Sequence, residues 1–150
     1  MPGIISAIRG GPGSQPTIEK AIAFSKEQNL PLYFLYVVNL DFLARTETSR
    51  TQFLSQEMRE MGEFILLLAS ERAARQNVDV KTFVRQGEFR DELIQLCHEL
   101  NADYVILGQP RRQKDTDLFT SQQLNDFVDH LGAETGASVI LVEMGDQHEA

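Results

Sequence analysis

Short apolar runs alternate along this chain with longer segments in which apolar residues recur every three or four positions. The short runs predict β-strands, and those apolar at nearly every position are typical of strands covered on both faces of a parallel sheet. The longer segments predict amphipathic helices between the strands. The predicted strands cover residues 4–8, 32–38, 78–85, 104–107 and 138–142.

The first helical segment has clear predicted ends. Ser14 can cap its start, because a serine hydroxyl at that position accepts a bond from an unpaired backbone N–H. Pro16 is tolerated in the first turn, and Asn29 with Pro31 marks the end. The residues predicted to share the inner face of this helix are Ile18, Ala21, Ile22 and Ser25.

The long second helix and the third strand carry further predictions. Apolar residues of the helix recur in alternating steps of four and three, which predicts one buried stripe. That stripe consists of Leu54, Met58, Met61, Ile65 and Leu68. The third strand alternates one set of residues with another, which suits a half-exposed strand at a sheet edge. The first set is Val78, Val80, Thr82 and Val84, and the second is Asp79, Lys81, Phe83 and Arg85.

A strand followed by a helix, repeated four times and closed by a fifth strand, predicts the α/β class. We expect a single domain over residues 1–150, with a polar tail from about residue 145. Helices between parallel strands cover both faces of an open sheet, and right-handed crossovers give the doubly wound arrangement. The predicted fold is therefore an open, doubly wound, parallel five-stranded sheet.

Charge and composition narrow the function classes. The formal net charge of −8 argues against general binding to nucleic acid or to anionic membranes. No apolar run approaches the roughly 20 residues that span a bilayer, and the first residues lack the pattern of a signal peptide. A single cysteine excludes an internal disulfide and fits a reducing compartment. We therefore expect a cytoplasmic protein.

The loop after the fourth strand is the first place to look for a ligand. The apolar run ends at Gly108, and about a dozen polar residues follow. Ligands of open α/β sheets bind at the carboxyl ends of the strands, where this loop lies. The glycine-rich loop 10–13 follows the first strand, but it has neither the P-loop pattern nor the third glycine of a dinucleotide fingerprint.

The segment ADYVILGQPRR resembles the corresponding stretch of the universal stress protein (UspA) family. ISAIRGGPGS, LYFLYVVNL and VRQGEFRDELIQLCHELNADYVILG are similar to other parts of the same domain, so the resemblance covers nearly the whole chain. It implies the strand order 3-2-1-4-5, with a ligand between strands one and four. It also implies a homodimer through the last strand, which contains Val139, Ile140, Leu141 and Val142.

The nucleotide-binding motif of that family is altered in this chain. Members that bind nucleotide carry G-x2-G-x9-G-[ST], whose amides and hydroxyl hold phosphates. Here Gly108 is present, whereas Arg111, Ser121 and Gln122 occupy the other positions. Counting from Thr120 instead would keep a hydroxyl, although the ungapped count agrees better with the apolar positions of the fourth helix. The resemblance therefore implies the fold and weakens the expectation of ordinary ATP binding.

Arginines stand where the resemblance predicts other groups. Arg9, followed by Gly10, replaces an aspartate expected near the nucleoside, while Val37 matches the residue whose backbone meets the adenine. Arg111 and neighbouring cations could face Arg9 and grip phosphate bidentately. The alternative is a solvated loop whose charges are balanced by Asp115 and Asp117 nearby.

The other reactive residues form no recognisable catalytic set. Cys97 and His98 are adjacent on a helix, so their side chains diverge by about 100°; Cys97 is predicted to be a core residue. Three scattered histidines lack metal-ligand spacing. Three hypotheses remain: a non-enzymatic stress-response domain that has lost ordinary ATP binding, a sensor of adenine nucleotide or another phosphate ligand, and a weak nucleotide hydrolase.

Overall fold

Nine helices and strands alternate in the computed structural model, which describes residues 3–9, 14–38, 48–109 and 121–143. The strands are parallel, and the four helices lie between them in the chain. In chain order the elements are β1 Ile4–Ala7, α1 Gln15–Gln28, β2 Leu32–Val38, α2 Thr48–Ala74, β3 Val80–Gln86, α3 Phe89–Leu100, β4 Tyr104–Gln109, α4 Ser121–Thr135 and β5 Ser138–Glu143.

The strand order of the sheet is β3-β2-β1-β4-β5, which confirms the predicted α/β fold and the order that the resemblance implied. Strand β1 is central: Ile4 pairs with Leu32 of β2 on one side and with Tyr104 of β4 on the other. From β1 the chain first builds outward through β2 and β3 and then through β4 and β5. Such a reversal leaves a crevice outside the carboxyl ends of the two strands where it occurs.

Two hydrophobic cores lie on the two faces of the sheet. The first joins the sheet to α1 and α2 and includes Ile4, and the second joins it to α3 and α4 and includes Ile5. Neither isoleucine exposes any surface, because successive side chains of a strand point to opposite faces and here both faces are covered. This double coverage explains the continuous apolar runs of the sequence.

Helix α1 confirms its predicted face but not its predicted start. Its buried residues include all four that the pattern selected, and Asn29 ends it in the left-handed conformation. Ser14 does precede the helix, but its side chain caps no helical N–H. The hydroxyl donates instead to the carbonyl of Arg9, so it ties the end of β1 to the start of α1.

The predicted buried stripe of α2 is wrong for Met61 and Leu68, whereas Ile65 does pack against the core. Met61 and Leu68 are 56% and 51% exposed, and the line that packs on the sheet consists of Gly62, Leu66, Ala69 and Ala73. A Cβ on Gly62 would lie 2.3 Å from the ring of Tyr36, so this residue must be small where the helix meets β2. Apolar periodicity alone could not reveal that the sheet contacts the small residues of α2.

Strand β3 lies at one edge of the sheet, as its alternating pattern predicted, and β5 lies at the other. The third strand begins at Val80, two residues later than predicted. Val78 is buried in the segment before the strand, which explains why it is apolar. The predicted motif positions at residues 10 and 111 lie outside the described residues, as does the tail from residue 144.

Candidate functional site

A cavity of about 450 Å³ lies at the carboxyl ends of the strands, where β1 and β4 diverge. The ends of β1, β2, β4 and β5 and the first turns of α1 and α3 all contribute to its wall. Its apolar lining includes Ala7, Ile8, Val37, Leu107, Phe127 and Leu141. Its polar lining is Arg9, Ser14, Thr17, Tyr36, Glu88 and Arg90. An apolar wall with a few polar groups is typical of small-molecule sites.

A second depression of similar volume lies between α2 and β3. It contains Arg59 and Glu63, one helical turn apart, but no residue from the carboxyl ends of the central strands. Because ligands of open α/β sheets bind at the point where strand order reverses, we assign the candidate site to the first cavity.

Three of the predicted site residues meet at this cavity: Arg9, Val37 and Gly108. Val37 and Gly108 lie in β2 and β4, and Arg9 follows β1 by two residues; the parallel register places the ends of these strands side by side. Gly10 and Arg111 fall outside the described part of the chain. Ser121 and Gln122 begin α4, but their side chains are not described. The ligand-binding role of all these residues stays a prediction.

Thr17 is a cavity residue that the sequence reasoning missed. It lies in the first turn of α1 and is 2% exposed. Among the buried side-chain nitrogen and oxygen atoms of the described residues, only Thr17 Oγ1 and Ser6 Oγ have no hydrogen-bond partner. A buried hydroxyl without a partner costs about 1–3 kcal/mol. The available signal was its position three residues after Ser14, on the side of the helix that faces the strand ends.

Arg90 is a second missed residue. It lies in the first turn of α3, and its guanidinium carbon is 5.2 Å from the centre of the Phe127 ring. The N–H of Gly87 donates to the carbonyl of Val38 at 2.9 Å, which holds the start of α3 beside the end of β2. In the sequence Arg90 looked like an ordinary exposed helix residue.

The described rim of the cavity is more positive than the chain as a whole. Arg9 and Arg90 contribute two guanidinium groups, and Glu88 contributes one carboxylate. That carboxylate accepts the N–H of Asp91 at 3.4 Å and so caps α3. Two arginines beside the first turns of two helices favour an anionic group of a ligand.

The Cys97 sulfhydryl and the His98 imidazole lie away from this cavity. Cys97 is buried in the core as predicted, and burial raises the pKa of its thiol to about 11. The thiolate, which is the reactive form, is therefore scarce at neutral pH. His98 lies outside the cavity, with its Nε2 3.0 Å from the carbonyl of Glu134. In the described part of the chain, no three His, Cys, Asp or Glu residues are grouped as metal ligands.

The sequence profile of the Universal stress protein family matches residues 3–133. The chain belongs to the universal stress protein family. This confirms the family that the sequence resembled, and the site described above is therefore the crevice of a universal stress protein domain.

Solved structures of other universal stress proteins have the same fold at low sequence identity. UspA from Lactobacillus plantarum matches with a TM-score of 0.74 and 13% identity, over 94% of this chain and 97% of its own. A family member from Burkholderia pseudomallei matches at 0.69 and 17%, over 93% and 95%. A universal stress protein from Archaeoglobus fulgidus, solved in complex with dAMP, matches at 0.63 and 11%, over 95% and 98%.

The comparison with curated protein sequences found no match for this universal stress protein. Its described helices include none that combines the length and the apolar character needed to cross a membrane.

Proposed function

We propose that this chain is a non-enzymatic, regulatory universal stress protein domain in which ordinary ATP binding has been lost. The observation that carries this proposal is Arg9 at the cavity. It occupies the end of β1, where the resemblance expects an aspartate near the nucleoside. The change removes an acceptor and adds a positive charge beside the space for a nucleoside.

The regulatory role is supported by the chemistry of the described cavity wall. Its charged groups are Arg9, Glu88 and Arg90, and Glu88 already caps a helix. Arginine stays protonated in proteins, so it serves to bind anions rather than to remove protons. Cys97 and His98, which carry a thiol and an imidazole, both lie on α3 and outside this wall. This arrangement supports a domain that acts by binding a ligand and contacting other proteins, and not by catalysing a reaction.

A second candidate function is a sensor of an adenine nucleotide or another phosphate ligand. It is favoured by the open cavity, which offers Arg9, Arg90 and the unpaired hydroxyl of Thr17 to one ligand. Structures of other family members were solved with AMP, dAMP and cAMP. A guanidinium pair can hold phosphate where glycine amides would do so otherwise.

The presence or absence of nucleotide that copurifies with the protein distinguishes these two candidate functions. The purified protein is heated, and the ultraviolet absorbance and mass spectrum of the supernatant are recorded. The first proposal expects no nucleotide, whereas the sensor expects a stoichiometric amount. Release of phosphate from added ATP would contradict both and support the hydrolase.

Thr17 provides a matched test of the cavity. Thr17→Val removes the unpaired hydroxyl at nearly constant volume, so we expect the free energy of unfolding of the ligand-free protein to rise by about 1 kcal/mol. Thr17→Ser retains a hydroxyl and serves as the control. Denaturant unfolding measures both variants. Destabilisation of the valine variant by more than about 1 kcal/mol would show that the hydroxyl has a partner in the native protein.

We also propose a homodimer through β5. Strand β5 pairs with β4 and forms a sheet edge in the single chain. Val139, Ile140, Leu141 and Val142 are all half-buried there. An apolar edge is an aggregation hazard that pairing with a second copy removes.

Leu141→Lys is expected to weaken that dimer at least tenfold, because a charge would enter an apolar contact. Sedimentation velocity across the micromolar range measures the change. Leu141→Met is the control that keeps an apolar side chain, and thermal unfolding verifies that both variants fold. A wild-type protein that remains monomeric over that range would end this proposal.

A reducing, cytoplasmic location completes the proposed function. It is supported by the single cysteine, which is buried in the core and forms no disulfide. Fractionation of the cells that make the protein tests this location directly, and recovery in an extracellular fraction would contradict it.

A further inference from the structure

The large apolar side chains that are most exposed in the described part of the chain all lie on helix α2. The exposed fractions are 65% for Phe53, 56% for Met61, 59% for Phe64, 55% for Leu67 and 51% for Leu68. Grouped apolar side chains of this size mark a surface that contacts another molecule. We call these five residues the outer face of α2.

The outer face is separate from the packing of the helix on its own sheet. At about 100° per residue, Phe64 lies roughly half a turn from Gly62 and Leu66, which face the sheet. Gly62 and Leu66 are buried, and Leu66 is only 2% exposed. Helix α2 therefore has two apolar faces, and the described part of one chain covers only one of them.

Charged residues flank the central part of the outer face, Met61 to Leu68. Glu57 is exposed one turn before it, within α2, and Arg75 is exposed just beyond the end of the helix. Both lie in line with Phe64 and Leu68, because the spacings of seven and four residues return to nearly the same side of a helix. The positions form a row that reads Glu57, Met61, Phe64, Leu68, Glu71, Arg75.

In an antiparallel pair this row is complementary at its centre and at its ends, while Met61 faces Glu71 between them. Its steps are four, three, four, three and four, so the row is symmetric about residue 66. In an antiparallel pair of such helices related by a two-fold axis, Phe64 of one copy meets Leu68 of the other. The same register places Glu57 opposite Arg75 at both ends of the contact, where opposite charges attract.

Other arrangements of two copies are less favourable. A parallel pair would place Glu57 beside Glu57 and Arg75 beside Arg75. An antiparallel pair centred on Phe64 would place Glu57 opposite Glu71, which also repels. A uniformly basic partner helix would leave Arg75 facing like charge. The charge pattern thus favours a second copy in the register centred on residue 66.

We propose that the outer face of α2 is a self-association surface, on which α2 of a second copy packs antiparallel with Phe64 against Leu68. It lies beside β2 and β3, at the opposite end of the sheet from β5. The surface is therefore distinct from the β5 dimer. Two different two-fold contacts on one chain produce an assembly larger than a dimer.

Charge exchange at the ends of the row tests this contact without touching the cores. Sedimentation equilibrium is measured across the micromolar range at low salt for the wild type, Phe64→Lys, Glu57→Arg, Arg75→Glu and the variant with both charge changes. Thermal unfolding of each variant verifies the fold. We expect Phe64→Lys to reduce the weight-average mass to that of the β5 dimer, or to that of the monomer if β5 does not associate.

The single charge variants are expected to weaken association at least tenfold, because each creates two like-charge contacts. The variant with both changes restores opposite charges and should recover association to within about threefold of the wild type. Unchanged mass for Phe64→Lys would overturn the proposal. Failure of the combined variant to recover would overturn the antiparallel register.

Discussion

Replacing Ile106 with alanine is expected to lower the free energy of unfolding by about 2–5 kcal/mol. Ile106 exposes no surface and lies in β4, between Ser6 of β1 and Ile140 of β5. Its side chain belongs to the core that joins the sheet to α1 and α2. Truncation would remove buried apolar contacts and leave a cavity that neighbouring strands, held by their hydrogen bonds, cannot close. Denaturant unfolding measures the loss.

Two controls make this result specific. Ile106→Val removes one methyl group and should cost about 0.5–1.5 kcal/mol, so the two variants form a graded series. Ile140→Ala, at a half-buried position on the edge strand, should cost less than Ile106→Ala. A loss below about 1 kcal/mol for Ile106→Ala would contradict the interior position of β4 in the sheet.

The fold was predictable because local patterns and long-range packing agree through most of the chain. Helix α1 shows this agreement: Ile18, Ala21 and Ile22 are apolar, share one face and are buried in the structure. The strands have continuous apolar runs because helices cover both faces of the sheet. The order of the strands does not follow from such patterns, and it was predicted only through the family resemblance.

Helix α2 shows where pattern reading fails. Two apolar rows run along it, and the row with the larger side chains looked like the core. Packing selected the other row, because Gly62 allows the helix to approach Tyr36 closely. Sequence periodicity reports which residues are apolar, but it does not report which of two faces meets the sheet.

The site was predictable only where strand ends define it. Gly108 follows from the end of β4, whereas Arg9 and Val37 were predicted through the family resemblance, and the structure places all three at the cavity. Thr17 and Arg90 could not be found in the same way. Each lies in the first turn of a helix, and its approach to the cavity depends on how that helix packs.

Restoring two family residues is expected to raise the affinity for ATP at least tenfold. The variant carries Arg9→Asp and Arg111→Gly. The aspartate would return an acceptor near the nucleoside, and the glycine would let backbone amides approach the phosphates. A tenfold gain corresponds to about 1.4 kcal/mol of binding free energy. Isothermal titration calorimetry measures the affinity.

Arg112→Gly is the matched control, since it removes an arginine from the same loop but does not restore a motif glycine. It should leave the affinity for ATP within about threefold of the wild type. If the restored variant instead binds phosphate ligands more weakly than the wild type, the arginines form an anion site. That site should also weaken as salt increases, because screening reduces exposed electrostatic attraction.

The proposed loss of ordinary ATP binding is tested most directly by calorimetric titration of the wild-type protein with ATP at about 150 mM salt, near physiological ionic strength. We predict a Kd above about 1 mM, which corresponds to only about 4 kcal/mol of binding free energy. Micromolar affinity under these conditions would contradict the account, and its abolition by Arg111→Ala would establish the arginine site instead.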